Sequence, residues 1–300
     1  MADPFRDHPW LRYRPDQPSD YMRPEYYDSL LKEYAFGGLT DLDILAHFLN
    51  NPKVPKGARL LELGCGSGRT TDVLLAQVDQ PSVVDLVDLS RLMVEYCSAR
   101  YATIDAVRVH QRDTVDFLGT APRTYDRAIS LWNLSHSIHQ HMLRDGVDQG
   151  SQRTRTAISR FLEHSLLPGG RAFLIHYDIQ SPEQKLINPW RKLLWQRIAP
   201  DYDISQQSPS KKLLDQILDE AQHLGLIEVE QRRLVGDSIV YESVERALEI
   251  FMNFHMEGHF NLHPSLPEIL ASLREGMSEY IVGDEVHIRP GCFIYIITRT

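Results

Sequence analysis

Between Arg59 and Thr71 the chain reads RLLELGCGSGRTT, and this stretch leaves few folds open. Leu60 to Leu63 is mostly apolar and short enough for a buried strand. Gly64, Gly66 and Gly68 then stand at alternate positions, and the run from Thr70 to Leu75 reads as a helix. A strand, a glycine turn and a helix start bring backbone close to a nucleotide-like ligand, because glycine has no Cβ to hold the ligand off. Glu62 adds a carboxylate beside the turn. Spacing decides which ligand. A dinucleotide fingerprint begun at Gly64 needs glycine where Arg69 stands, and one begun at Gly66 needs it where Thr71 stands. No Lys-Ser/Thr pair follows to make a phosphate loop.

The form present, E-x-G-x-G-x-G from Glu62 to Gly68, resembles the cofactor loop of class I S-adenosylmethionine-dependent methyltransferases. The resemblance implies S-adenosyl-L-methionine as cofactor, with Glu62, Gly64, Cys65, Gly66 and Gly68 around its methionine part. Ser82 to Asp88 reads as the second strand, and Ser90 caps the helix after it. Asp88, 20 residues beyond Gly68 (88 − 68), can accept hydrogen bonds from two ribose hydroxyls at a strand's end. Asp85 competes for that role, but Asp88-Leu89-Ser90 stands where the family's acidic residue stands. Ala106 to His110 forms a third strand, and Arg112-Asp113-Thr114 resembles the family's acidic turn. There Asp113 would accept from the adenine amino group, a solvated turn aspartate being the alternative.

Arg127 to Leu131 gives a fourth strand, and Leu166-Leu-Pro-Gly-Gly170 turns into a fifth, Arg171 to Asp178. A helix from Ser210 to Leu224, a sixth strand from Leu226 and an apolar seventh, Gly291 to Thr298, complete the order. This order predicts a doubly wound α/β fold: a seven-stranded, mostly parallel, Rossmann-like sheet with helical cap insertions. The resemblance covers about residues 59–178.

Residues 1–57 are expected to be an N-terminal helical cap, and residues 58–300 the methyltransferase domain. Ser19 or Asp20 would cap a helix through Tyr34 that Gly37-Gly38 ends, and Thr40 or Asp41 would cap a second. Two stretches exceed the minimal fold, at about 180–208 and 242–288, and both are aromatic and helix-patterned. Such additions suit pocket walls over the carboxyl ends of the strands, with Tyr21, Tyr26, Tyr177, Trp190, Phe254 and His255 as expected substrate contacts. Packing into the core is the plainer role for the N-terminal tyrosines.

The net charge of −9 opposes a general affinity for nucleic acid or an anionic membrane. No apolar run of spanning length and no apolar leader occur, and three scattered cysteines suit a reduced cytosol, so a cytoplasmic monomer or homodimer is expected. The Asn/Asp-Pro-Pro-aromatic signature of base-amino methylation does not follow strand four, nor is there a paired-glutamate loop. A small-molecule acceptor, bulky and partly apolar in the manner of a specialised metabolite, is therefore expected.

Methyl transfer from a sulfonium requires an in-line nucleophile and often the loss of a proton. Trp132 to His141, after strand four, lies nearest the methyl in the resembled family, and it carries His136 and His139. His136 is the first expected base, His139 the second, and His176, beside Tyr177 at the end of strand five, the third. A structural or cofactor-side role is the competing one for His136. His255, His259 and His263 recur every fourth residue, but Gly258 and Pro264 interrupt any long helix, so no metal site is expected. A protein of this fold that binds the cofactor without methylating, as scaffold or rearrangement catalyst, is the alternative function. Arg69 argues against a nicotinamide oxidoreductase.

Overall fold

The computed structural model describes residues 4–11, 23–31, 34–196, 207–257 and 259–300. A short helix α1 (Pro4–Asp7) and α2 (Pro24–Leu31) come first. Gly37 and Gly38, both with left-handed φ, turn a hairpin between β1 (Ala35–Phe36) and β2 (Leu39–Thr40). The glycine pair therefore makes a hairpin, where a helix end was expected, because two successive positive φ values fit a tight strand reversal. Thr40 and Asp43 form a reciprocal capping box that starts α3 (Asp41–Asn50).

The central unit alternates as the sequence predicts. It runs β3 (Arg59–Leu63), α4 (Arg69–Gln77), β4 (Val83–Asp88), α5 (Arg91–Arg100), β5 (Val107–Gln111) and α6 (Thr114–Leu118). Next come β6 (Tyr125–Leu131), α7 (Asn133–Asp145), α8 (Val147–Arg160) and β7 (Leu166–Tyr177). The rest is α9 (Pro182–Gln196), α10 (Pro209–His223), β8 (Ile227–Val235), β9 (Ile239–Tyr241), α11 (Val244–Ile250), α12 (Leu266–Met277), β10 (Ile281–Val282), β11 (Glu285–Ile288) and β12 (Gly291–Arg299).

Seven strands form one sheet in the order β5-β4-β3-β6-β7-β12-β8. The strands from β5 to β7 run parallel, and β12 lies antiparallel between β7 and β8. Alternation along β3 divides the core. Leu60 joins the layer of Val84, Leu86 and Leu74, while Leu61 and Leu63 join Val87, Val115 and Ile138 on the other face. The order reverses between β3 and β6, and that is where a doubly wound sheet opens a crevice at its carboxyl ends.

The two expected insertions lie over that end. The first supplies α9. The second supplies α11, a π-type turn at Phe251–His255, α12, and strands that join β9 in a three-stranded sheet ordered β10-β11-β9. No helix among the described residues is long and apolar enough to cross a membrane.

Candidate active site

The glycine loop needs its glycines for two separate reasons. Gly64, Gly66 and Gly68 all hold positive φ, and a Cβ on Gly64 would lie 2.2 Å from Asn133 Cβ. Asn133 is the first residue of α7, and Thr114 Oγ1 donates to its Oδ1 at 2.7 Å. This ties the glycine loop to the turn after β5. At Gly66 the nearest neighbour is the Tyr27 ring, 3.7 Å from a built Cβ, so this residue faces the crevice under an aromatic cover.

Asp88 ends β4 inside the crevice. Its Oδ2 accepts from the Gly66 N–H at 2.9 Å and its Oδ1 from the Ser90 N–H at 2.8 Å. Its carboxylate thereby lines the crevice beside the glycine loop. Leu89, Ser90 and Met93 continue the same wall. Asp85 points into the protein, where His110 Nε2 at 2.8 Å, Tyr125 Oη at 2.9 Å and Arg123 Nε at 3.2 Å surround its carboxylate. Burial pushes the Asp85 carboxyl up, but these partners outweigh it and hold it below the usual range.

Asp113 and Thr114 also line the crevice. The Asp113 carboxylate has structural partners: it caps α6 through the Asp116 N–H at 3.1 Å and accepts from Ser137 Oγ and His141 Nε2. Oδ1 takes three of these contacts, which leaves Oδ2, with only Ser137 on it, for an adenine amino group. Asp113, Asp116 and His141 cluster closely enough to suggest a metal site. Arg144 donates to His141 Nδ1 at 2.9 Å and Arg153 to Asp116 at 2.7 Å, so the cluster is part of an ion-pair network.

Glu62 lies beneath the loop, 1% exposed, with Oε2 accepting from Thr71 Oγ1 at 2.6 Å and Oε1 without a partner. It is not a wall of the crevice as expected. Burial pushes its carboxyl well above the ordinary range, which fits a neutral acid under the loop. Cys65 is likewise buried below the surface of the crevice. Trp132, left-handed at φ 67°, does line it and donates from Nε1 to Asp41 Oδ2 at 3.0 Å. Asp41 also takes Arg69 in a bidentate pair at 2.8 and 2.9 Å, so the cation that breaks the dinucleotide fingerprint locks the loop to α3.

Beyond Trp132 the crevice continues into a chamber walled by Tyr34, His136, Tyr177, Glu183, Gln184, Arg191, Phe254, His255 and Glu257. His136, on the first turns of α7, is 41% exposed at its side chain, with Nδ1 3.0 Å from Glu257 Oε1. Glu257 holds a left-handed φ of 50°, a backbone state that non-glycine residues keep chiefly where surroundings enforce it. Burial pushes its carboxyl up, but hydrogen bonds from His136 and His259 prevail and hold it well below the usual carboxylate range. An ionised Glu257 accepting from Nδ1–H leaves His136 Nε2 as the lone-pair nitrogen on the chamber side.

His139 and His176 do not share that position. His139 Nε2 accepts from the Ser210 N–H at 3.2 Å, so Nδ1 carries its proton toward Tyr177 Oη at 3.1 Å. Burial holds the ring well below its ordinary pKa, and the histidine supports Tyr177 from behind the wall. His176 is 2% exposed, its ring 4.8 Å from that of Tyr177, with Nε2 2.8 Å from Ser210 Oγ and Nδ1 2.8 Å from the Tyr177 carbonyl. Both ring nitrogens are engaged and the side chain does not line the crevice, so it is not placed to act as the base.

Two other expectations need correcting. Tyr26 turns to Glu249, its hydroxyl 3.4 Å from Oε1, and Tyr27 is the crevice residue. Trp190 packs against the core, and its neighbour Arg191 reaches the chamber. Tyr21 lies outside the described residues. Phe254 and His255 stand in the wall as expected, and His255 Nε2 lies 3.5 Å from Glu183 Oε1. Sequence reasoning missed Tyr27, Asn133, Glu183, Arg191 and Glu257. Only Asn133, directly after Trp132, carried a signal: a short polar residue facing a glycine turn.

A family model described as a methyltransferase domain matches residues 60–154. Ribosomal RNA small subunit methyltransferase A of Pseudomonas putida is 29% identical over 127 residues, 41% of this chain and 46% of that protein. The enzyme of the same name from Pseudomonas syringae pv. syringae is 26% identical over 129 residues, 41% of this chain and 47% of that protein. The chain thus spans about half the length of the curated relatives it matches. Among solved structures, the YcgJ protein of Bacillus subtilis superimposes with a TM-score of 0.51 at 16% identity, over 86% of this chain and 98% of that one. Residues 60–154 are thus similar to a methyltransferase domain, and the sheet built on them has the Rossmann-like fold shared with that Bacillus subtilis protein.

Proposed function

We propose that this protein transfers a methyl group from S-adenosyl-L-methionine to a small-molecule acceptor held in the chamber beyond Trp132. The observation that carries this reading is one continuous crevice joining the Gly64–Gly68 loop and Asp88 to an enclosed aromatic chamber. Its cover comes from the chain's own α2, α9 and 251–257 turn, which leaves room for a compact acceptor and opposes a folded polymer. The charge of −9 favours the same conclusion over an RNA acceptor.

The residues fit the cofactor by their own geometry. Gly66 and Asp88 line the crevice together, and the bond from Thr114 to Asn133 ties the glycine loop to the turn where the adenine would lie. When bound, the cofactor supplies an electrophilic methyl on sulfur. The protein's part is to hold the acceptor in line among Tyr34, Tyr177 and Phe254, to exclude water, and to take a proton at His136 Nε2 where the nucleophile arrives protonated. Glu257 sets the tautomer of His136 and stabilises the imidazolium that forms.

The test is titration with S-adenosylmethionine and its demethylated product, then transfer of labelled methyl to a metabolite panel and, in parallel, to small-subunit ribosomal RNA. Binding with transfer to small molecules is expected. Transfer to RNA alone would overturn the acceptor class, and binding without transfer to either would leave a cofactor-binding protein.

A further inference from the structure

We propose that the acceptor carries a carboxylate and that Arg191 is the residue that recognises it, a reading that rests on the methyltransferase function above. Arg191 projects from α9 into the chamber, and its guanidinium lies over the Tyr177 ring, 5.1 Å from the centroid. Nη1 donates to Gln184 Oε1 and Nη2 to the His255 carbonyl at 3.3 Å. Both acceptors are neutral. No ion pair joins Arg191 to a carboxylate among the described residues, although Glu183 and Glu257 line the same chamber.

Those two acids are already occupied. Glu183 Oε1 accepts from Tyr34 Oη at 2.6 Å and Oε2 from Gln184 Nε2 at 3.0 Å, while Glu257 faces His136 and His259. A guanidinium has five N–H donors in a planar fork, and Arg191 uses two of them. The stacking on Tyr177 and the two neutral acceptors fix that plane before any ligand arrives. A half-buried cation so prepared, without a counter-ion, is built for an anion that comes with the ligand.

Like-charge repulsion limits which anion. The carboxylates Glu183 and Glu257 share the chamber, so a monoanion, the smallest charge that pairs Arg191, is favoured. A phosphate dianion would add a second negative charge beside Glu183 and Glu257, and like charges in a desolvated site repel. A planar monocarboxylate also matches the fork two bonds at a time. The acceptor is therefore anchored by its carboxylate at α9, with its nucleophilic atom presented toward His136 and the methyl.

The experiment uses full-length protein, with product S-adenosylhomocysteine bound for calorimetry, and matched pairs that differ only in charge. Phenylacetate and phenylacetamide are titrated. 4-Aminobenzoate with 4-aminobenzamide, and 4-hydroxyphenylacetate with its amide, are offered as acceptors with labelled S-adenosylmethionine. Acids are expected to bind or turn over, and their amides to be weaker by roughly 10²-fold, the scale of a desolvated charge pair. Arg191→Gln should abolish the preference through KM and leave S-adenosylhomocysteine affinity within about twofold, and Arg191→Lys should restore part of it. Retained product binding shows that the variants fold. Amides accepted as well as acids, or no response to any carboxylate, would overturn the proposal while leaving the methyltransferase reading intact. Weakened product binding in Arg191→Gln would also overturn it, by assigning the guanidinium to the cofactor's own carboxylate. Failure of the unaltered protein to bind S-adenosylmethionine or its product overturns the methyltransferase reading itself.

Discussion

Asp88 and Asp85 sit three residues apart on one strand, and replacing each by alanine should separate binding from stability. Asp88 accepts from the Gly66 and Ser90 N–H groups and lines the crevice. Hydrogen bonds to a charged group contribute about 1.5–3 kcal/mol, so Asp88→Ala should weaken S-adenosylhomocysteine by roughly 10- to 150-fold. Its loss also frees the Gly66 N–H, which places the expectation toward the upper part of that range. Because Asp88 is partly exposed, folding stability should change little. Asp85 has the reverse profile. Its carboxylate is fully buried against His110, Tyr125 and Arg123. Removing one partner of a buried charge network costs about 3–5 kcal/mol, and the part-exposed Arg123 and His110 put Asp85→Ala near the lower end. In the fraction that folds, affinity should stay within about twofold. Calorimetry gives the affinities and urea unfolding gives the stabilities. A larger affinity loss for Asp85→Ala than for Asp88→Ala would refute this division of labour.

Further predictions follow from the same geometry. His136→Asn should lower turnover by roughly 10²-fold or more at saturating cofactor, if the acceptor arrives protonated. Glu257→Gln should have a smaller effect, roughly tenfold, since the exposed side of His136 screens the lost charge. Equal turnover in both variants and the unaltered protein would remove the pair from the mechanism. Burial drives His176 down to about 4 against the opposing bond from the Tyr177 carbonyl. The unfolded chain binds that proton first, so about 3 kcal/mol of stability should be lost as pH falls from about 6.5 toward 4, and His176→Asn should flatten this slope in urea titrations. Glu62 behaves oppositely. The folded protein keeps a proton that the unfolded chain releases above about pH 4.3, so its stabilising contribution fades as pH rises. Glu62→Gln should gain stability over the unaltered protein toward neutral pH, and parallel pH profiles would contradict the neutral acid.

The local signals in the chain were strong enough to fix the sheet. Glycines at alternate positions, capping residues such as Thr40 and Ser90, and short apolar runs act over a few residues, so the strand–helix order was legible without tertiary information. The same locality placed Asp88 at a strand's end, two residues before the helix cap Ser90. Side-chain direction was not legible, because it depends on the phase of each element against its neighbours. One residue's rotation separates Tyr27 from Tyr26 and Arg191 from Trp190, and packing against Ser210 buries His176 behind the wall that Tyr177 forms. Gly37-Gly38 suited a helix end and a hairpin equally well until β1 found β2. The meeting of His136 with Glu257 belongs wholly to the tertiary structure. It joins α7 to a turn in the second insertion through a left-handed backbone that no residue type at position 257 announces, and only the packed cap holds it there.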